Sequence, residues 1–110
     1  MHGIMKNNIL KESHILNINK RYSDRFNQHG YSPLTLGWAN KNQQNQRFRK
    51  FYKFFKIEGK SILDIGCGFG DFLSFLKKNS YLYDNYIGID INSVLLEKAR
   101  EVHNNKSIFI

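Results

Sequence analysis

The apolar positions change period part-way along the chain, near Lys60. Before that point they recur at helical spacing in a polar background. Leu10, Ile15, Leu16, Ile18, Tyr22 and Phe26 predict a helix from Ile9 to His29, with Gly30 placed to end it, whereas Met1 to Asn8 has no period and reads as a frayed terminus. Ser32-Pro33 opens a turn into a short helical stretch, Leu34 to Trp38, which Gly37 weakens. Asn40 can cap a second long helix, whose Phe48, Phe51, Tyr52 and Phe55 fall at i, i+3, i+4 and i+7 and suit packing on a sheet.

Beyond Lys60 short apolar runs alternate with helical segments. Ser61 to Ile65 is too short for a helix and rich in β-branched and aliphatic residues, so it reads as a strand. Phe72, Leu73, Phe75 and Leu76 then share one helical face, and Tyr86 to Asp90 is a second strand. Asn92 or Ser93 starts a further helix with Leu95, Ala99 and Val102 inward; Asn104-Asn105 breaks it, and Ser107 to Ile110 reads as a third strand. The predicted fold is α/β: a helical cap over residues 1–59, then β-α-β-α-β over residues 60–110. Right-handed crossovers place its parallel strands in the order 3-2-1.

The chemistry is concentrated where the first strand turns into its helix. Gly66, Gly68 and Gly70 allow positive φ and leave no Cβ between the main chain and a ligand, and the new helix points free N–H groups into the same crevice. Such turns hold nucleoside ligands at the strand ends of open α/β sheets. The dinucleotide fingerprint G-x-G-x-x-G would need glycine where the chain has Asp71, and a second acid, Asp64, stands just ahead of Gly66. Two carboxylates would repel a pyrophosphate but favour the ammonium and sulfonium of S-adenosyl-L-methionine. A third acid, Asp90, ends the second strand, where a carboxylate can accept both ribose hydroxyls. Asp64 could instead cap its turn, and Asp90 the next helix.

The run Asp64-Ile65-Gly66-Cys67-Gly68-Phe69-Gly70 resembles the first motif of class I S-adenosylmethionine-dependent methyltransferases, and YIGIDINSVLLEKAR, from Tyr86 to Arg100, is similar to their second strand and helix. The resemblance covers Lys60 to Ile110. It implies a Rossmann-like fold of seven strands, of which this chain would carry the first half. It also implies a cofactor-binding set of Asp64, Gly66, Cys67, Gly68, Gly70, Asp90 and Ile91, and a lid over the methionine end containing Trp38, Lys41 and Gln44. The acceptor is read as a small molecule and no catalytic residue is named, because methyl transfer depends mainly on positioning the acceptor. A cofactor-binding or interaction module without catalysis is the alternative.

Composition adjusts this picture in three respects. The net charge of +8 divides into +9 through Lys60 and −1 after it, so a nucleic-acid partner for the basic N-terminal helices is a third, less favoured reading. The single cysteine, Cys67, excludes an internal disulfide, the four histidines lack ligand spacing, and no metal is expected. Neither a long apolar span nor a signal segment is apparent, so no membrane partner and a cytoplasmic location are expected. Ile62 to Ile65 contains no lysine, proline or bulge. With one neighbour strand this edge would stay open, and either self-association through it or only marginal stability is expected.

Overall fold

The computed structural model describes residues 2–105 and 108–110, with side chains from residue 12 onward. Helix α1 spans His2–His29, including the stretch expected to fray; Met1 lies outside the described residues. Gly30 at φ 66° ends it, its N–H returning to the Phe26 carbonyl. The short helix expected at Leu34 to Trp38 is a 3-10 turn, Pro33–Leu36, which Ser32 caps and Gly37 terminates in the left-handed region. Thr35 locks this turn to α1: its buried hydroxyl donates to the Gly30 carbonyl at 2.6 Å. Asn40 caps α2, Lys41–Phe54, by accepting from the Gln43 N–H at 2.9 Å.

Strand β1, Ile62–Ile65, leads through the glycine turn into α3, Asp71–Lys78; strand β2, Tyr86–Ile89, leads into α4, Ser93–His103. The two strands are parallel, with Ile62 opposite Tyr86 and Ile65 opposite Ile89. Of the three strands expected, two form the sheet among the described residues, in the order β1-β2. Residues 108–110 make one parallel bridge, Phe109 to Gly88, and Ser107 lies outside the described residues. Gly88 donates to the Ile108 carbonyl and accepts from the Ile110 N–H, while residues 85 and 89 bond to β1 and its turn. By strand alternation the bridge is on the far edge of β2.

Apolar packing is concentrated on one side of the sheet, where Phe72, Phe75 and Leu76 of α3, Leu96 and Ala99 of α4, Ile57, Tyr86 and Phe109 form a buried cluster. On α4, Leu95 and Ala99 point inward as expected, but Val102 is exposed and Leu96 is buried in addition. The aromatic face of α2 is divided. Phe48 packs against Phe72 and Phe75, and Tyr52 stacks on Tyr81, whereas Phe51 and Phe55 remain about half exposed because α2 reaches α3 rather than lying flat on the sheet. On the other sheet face Leu63, Ile65 and Ile87 are exposed, Ile65 by 77%.

Candidate functional site

The glycine turn is built by hydrogen bonds to the end of β2. Gly66 and Cys67 both donate to the Ile89 carbonyl, at 2.7 and 3.0 Å, and Gly68 donates to Oδ2 of Asp90 at 2.8 Å. The other Asp90 oxygen accepts from the Asn92 N–H at 2.8 Å, so this carboxylate holds the turn and the start of α4 together. Asn92, and not Asp90, caps α4: its carbonyl oxygen accepts from Val94 and Leu95, and its amide donates back to Asn19 and Ser23 of α1. A buried bifunctional amide thereby fastens the cap helix beside the strand ends.

Above this turn lies a crevice of about 380 Å³, within the range of small-ligand pockets. Asp64, Gly66, Cys67, Gly68, Asp90 and Ile91 of the expected cofactor set line it, as do Trp38 and Gln44 of the expected lid. Gly70 does not. A Cβ there would lie 2.7 Å from Phe109 and 2.9 Å from His103, so this glycine permits core packing behind the turn. Lys41 is also outside the wall; it borders a smaller hollow with Tyr31 and Asp71 and donates to Gln44 Oε1 at 3.3 Å. A larger, shallower hollow of about 970 Å³ lies between α2 aromatics, Phe72 and Asp64, flanked by Arg47, Lys50 and Lys53. It lacks the turn and Asp90, and the smaller crevice is the one on which the loop's groups converge.

Three acids, Asp64, Asp71 and Asp90, line that crevice, and among the described residues no lysine or arginine does. Their environments differ. Asp64 accepts from the Tyr86 hydroxyl at 2.6 Å; burial pushes its carboxyl above the usual range, the Tyr86 bond opposes the shift, and the neighbouring Asp90 and Asp71 charges add to it. Burial and the Asp64 charge push the Tyr86 phenol up in turn. Asp71 is 4% exposed, with Oδ2 accepting from Gln44 Nε2 at 2.8 Å and Oδ1 buried without a partner. Burial pushes the Cys67 thiol up to about 12, with Asp64 and Asp90 reinforcing the shift, which fits a small packed residue and not a reactive thiol.

The model of a methyltransferase domain family matches residues 38–109. The chain belongs to that family. Within the methyltransferase domain the matched segment runs from the end of the capping turn through both strands to Phe109, and so contains the whole glycine turn. Among solved structures the domain is similar to the PH0226 protein from Pyrococcus horikoshii OT3, with 28% identity and a TM-score of 0.44 over 64% of this chain. The chain spans 35% of that protein's length. Comparison with curated proteins gives no match.

Other residues of the methyltransferase domain's crevice carry no sequence signal. Ile18 and Tyr22 of α1 and Leu36 of the 3-10 turn close it from above, and a Cβ on Gly68 would lie 2.9 Å from a Leu36 methyl. These contacts join residues more than thirty positions apart, and nothing in a hydrophobic period distinguishes a wall residue from a core residue. Phe69, in the middle of the motif, is fully buried between Phe26 and Tyr31 and anchors the turn to the cap. No cluster of metal-binding side chains occurs among the described residues, and no helix among them is long and apolar enough to cross a membrane.

Proposed function

We propose that this methyltransferase domain binds S-adenosyl-L-methionine in the crevice above the glycine turn and supports methyl transfer to a small-molecule acceptor. The observation that carries the reading is electrostatic: three carboxylates and no cation surround a space of nucleoside size. At contact distances such walls favour a sulfonium and ammonium and oppose a pyrophosphate. Asp90, at the tip of β2, accepts the ribose hydroxyls with the lone pairs left by Gly68 and Asn92. Gly66, where nothing lies within 4 Å of an added Cβ, admits the ligand against the backbone. Ile91, exposed at the rim, offers an apolar contact to the base.

The bound cofactor supplies the electrophilic methyl group; the chain's contribution is to orient it and exclude water. Ile18, Tyr22, Leu36 and Trp38 perform the exclusion as a lid, with Gln44 at its base. In this reading residues 1–59 are the cap, residues 60–110 are the first half of a Rossmann-like domain, and 108–110 begin a third strand in the order 3-2-1. Calorimetric titration with S-adenosylhomocysteine tests the site. Asp90→Ala removes a charge-assisted acceptor that contributes about 1.5–3 kcal/mol, so affinity falls at least about tenfold. An unchanged dissociation constant rejects the assignment. Trp38→Ala without effect on affinity removes Trp38 from the lid, and a methyl-transfer assay separates an enzyme from a binding module.

A further inference from the structure

The larger hollow beside α2 adjoins the crevice and is its electrostatic opposite. Phe48, Asp64 and Phe72 line both spaces, so these three side chains form the boundary between them. From that boundary a path of rings leads outward. Phe51 meets Phe72 edge-on with centroids 5.7 Å apart, Phe55 lies 4.6 Å from Phe51, and Phe54 lies 4.9 Å from Phe55. All three outer rings are exposed, Phe54 by 79%, and contiguous apolar surface of this kind marks a place where something binds. Arg47, Lys50 and Lys53 flank the rings, are exposed, and among the described residues are in no ion pair. Asp64 is the one acid among the described residues of the wall, and it stands at the boundary.

An aromatic wall flanked by cations, with a carboxylate at one end, fits a molecule that has an apolar body and one anionic group. The body gains area and stacking on the rings. The three cations attract the anion and Asp64 repels it, so the charged end lies along the α2 flank and the uncharged end at the boundary. A space of about 970 Å³ accommodates a small molecule of this kind. We propose that the methyl acceptor docks in this hollow and is an amphipathic organic anion, with an aromatic or acyl body, its anionic group against Arg47, Lys50 and Lys53, and a hydroxyl nucleophile beside Phe48, Asp64 and Phe72. This rests on the nucleoside reading above, which puts the methyl donor in the adjoining crevice. Transfer joins the acceptor oxygen to the methyl carbon and breaks that carbon's bond to sulfur, which keeps the electron pair; the hydroxyl proton leaves to solvent. A second copy of the chain, or an anionic membrane, would cover the outer rings without reaching the boundary.

Calorimetry on the full chain compares para-hydroxycinnamate with para-hydroxycinnamamide, which has the same body and hydroxyl without the charge. The anion binds at least about tenfold more tightly at low salt, and the preference shrinks as ionic strength rises. Replacing Arg47, Lys50 and Lys53 together by Gln brings the preference below about twofold, whereas Phe51→Ala weakens both probes by at least about threefold and leaves the preference in place. Either variant serves if the other does not fold. S-adenosylhomocysteine keeps its affinity within about twofold in both variants and binds together with the cinnamate. Mutual displacement of the two ligands puts the cinnamate in the crevice and overturns the inference. So do equal binding of the two probes, loss of cinnamate binding as the chain self-associates, and binding to phosphatidylglycerol vesicles without binding of the cinnamate. If S-adenosylhomocysteine binds and the cinnamate does not, this inference alone fails; if S-adenosylhomocysteine does not bind, the nucleoside reading fails and the acceptor assignment with it.

Discussion

Gly70→Ala separates the packing function of the glycine turn from its ligand-facing one. Gly70 has φ 74° and precedes the first residue of α3. An alanine there keeps the left-handed conformation at about 1–2 kcal/mol. Its Cβ also meets Phe109 at 2.7 and 2.8 Å and His103 at 2.9 Å, distances at which something must move. Phe109 is 1% exposed and packs edge-on to Tyr86, so it has no solvent into which to swing; overpacking of this kind adds about 1–3 kcal/mol. The sum, about 2–5 kcal/mol, lowers the melting temperature by at least about 8 °C in a domain of this size. Gly66→Ala is the matched control. It has nearly the same φ, 77°, and open space around its Cβ, so only the backbone cost applies. Thermal unfolding followed by circular dichroism reads both variants, and Phe109→Leu in the Gly70→Ala background should recover part of the steric share but none of the backbone share. Equal losses for Gly70→Ala and Gly66→Ala would refute the argument, because the Phe109 wall would then have yielded freely.

Three other outcomes follow from the same geometry. Cys67, with its thiol held up to about 12 by burial, should resist a thiol-specific aromatic disulfide reagent at pH 8 in the folded chain and react within the mixing time once unfolded. For Asp64 the folded value lies above the ordinary 3.8, so its contribution is fully present below that value and is lost as pH rises through the folded value. Asp64→Asn should therefore gain stability relative to the native sequence as pH is raised from below 4 toward neutrality; a constant difference in denaturant midpoint across that range would contradict the assignment. The open β1 edge, with Leu63 and Ile65 exposed, should self-associate in a concentration-dependent manner by light scattering. Ile65→Lys should return the chain to monomer, and a native chain that stays monomeric at every concentration would defeat this.

What the sequence made legible is local. Asn40 as a cap and the strand, glycine and helix succession from Ile62 to Lys78 depend on residues whose spacing fixes their geometry, whereas the bond from the Gly68 N–H to Asp90 was not expected. The crevice roof was not legible, because Ile18, Tyr22 and Leu36 reach it through tertiary contacts such as the Thr35 and Asn92 bonds and the packing of Phe69 on Phe26 and Tyr31, and Asn92 meets Asn19 across 73 positions. Periodicity overstated the burial of Phe51 and Phe55: it identifies a face but not how far the opposing surface extends. Gly70 shows the same limit within the motif itself. Three glycines two residues apart look equivalent in sequence, and the fold assigns one to open space, one against Leu36 and one against Phe109.

Charge illustrates how a global property and a site can point in opposite directions. A net +8 favours an anionic partner, yet the crevice is lined by three acids and no base among the described residues. The basic residues of α2, Lys41, Arg47, Arg49, Lys50 and Lys53, are exposed, and three of them border the larger aromatic hollow. Exposed charges are screened over about 8 Å at physiological ionic strength, whereas carboxylates inside a low-dielectric crevice act on a ligand at contact with little screening. In the proposed reading the local acids set which ligand the crevice accepts, and the basic surface contributes to long-range attraction of anions without selecting the occupant of the site. That division is why the acids at the two strand ends, and not the composition of the chain, carry the functional reading.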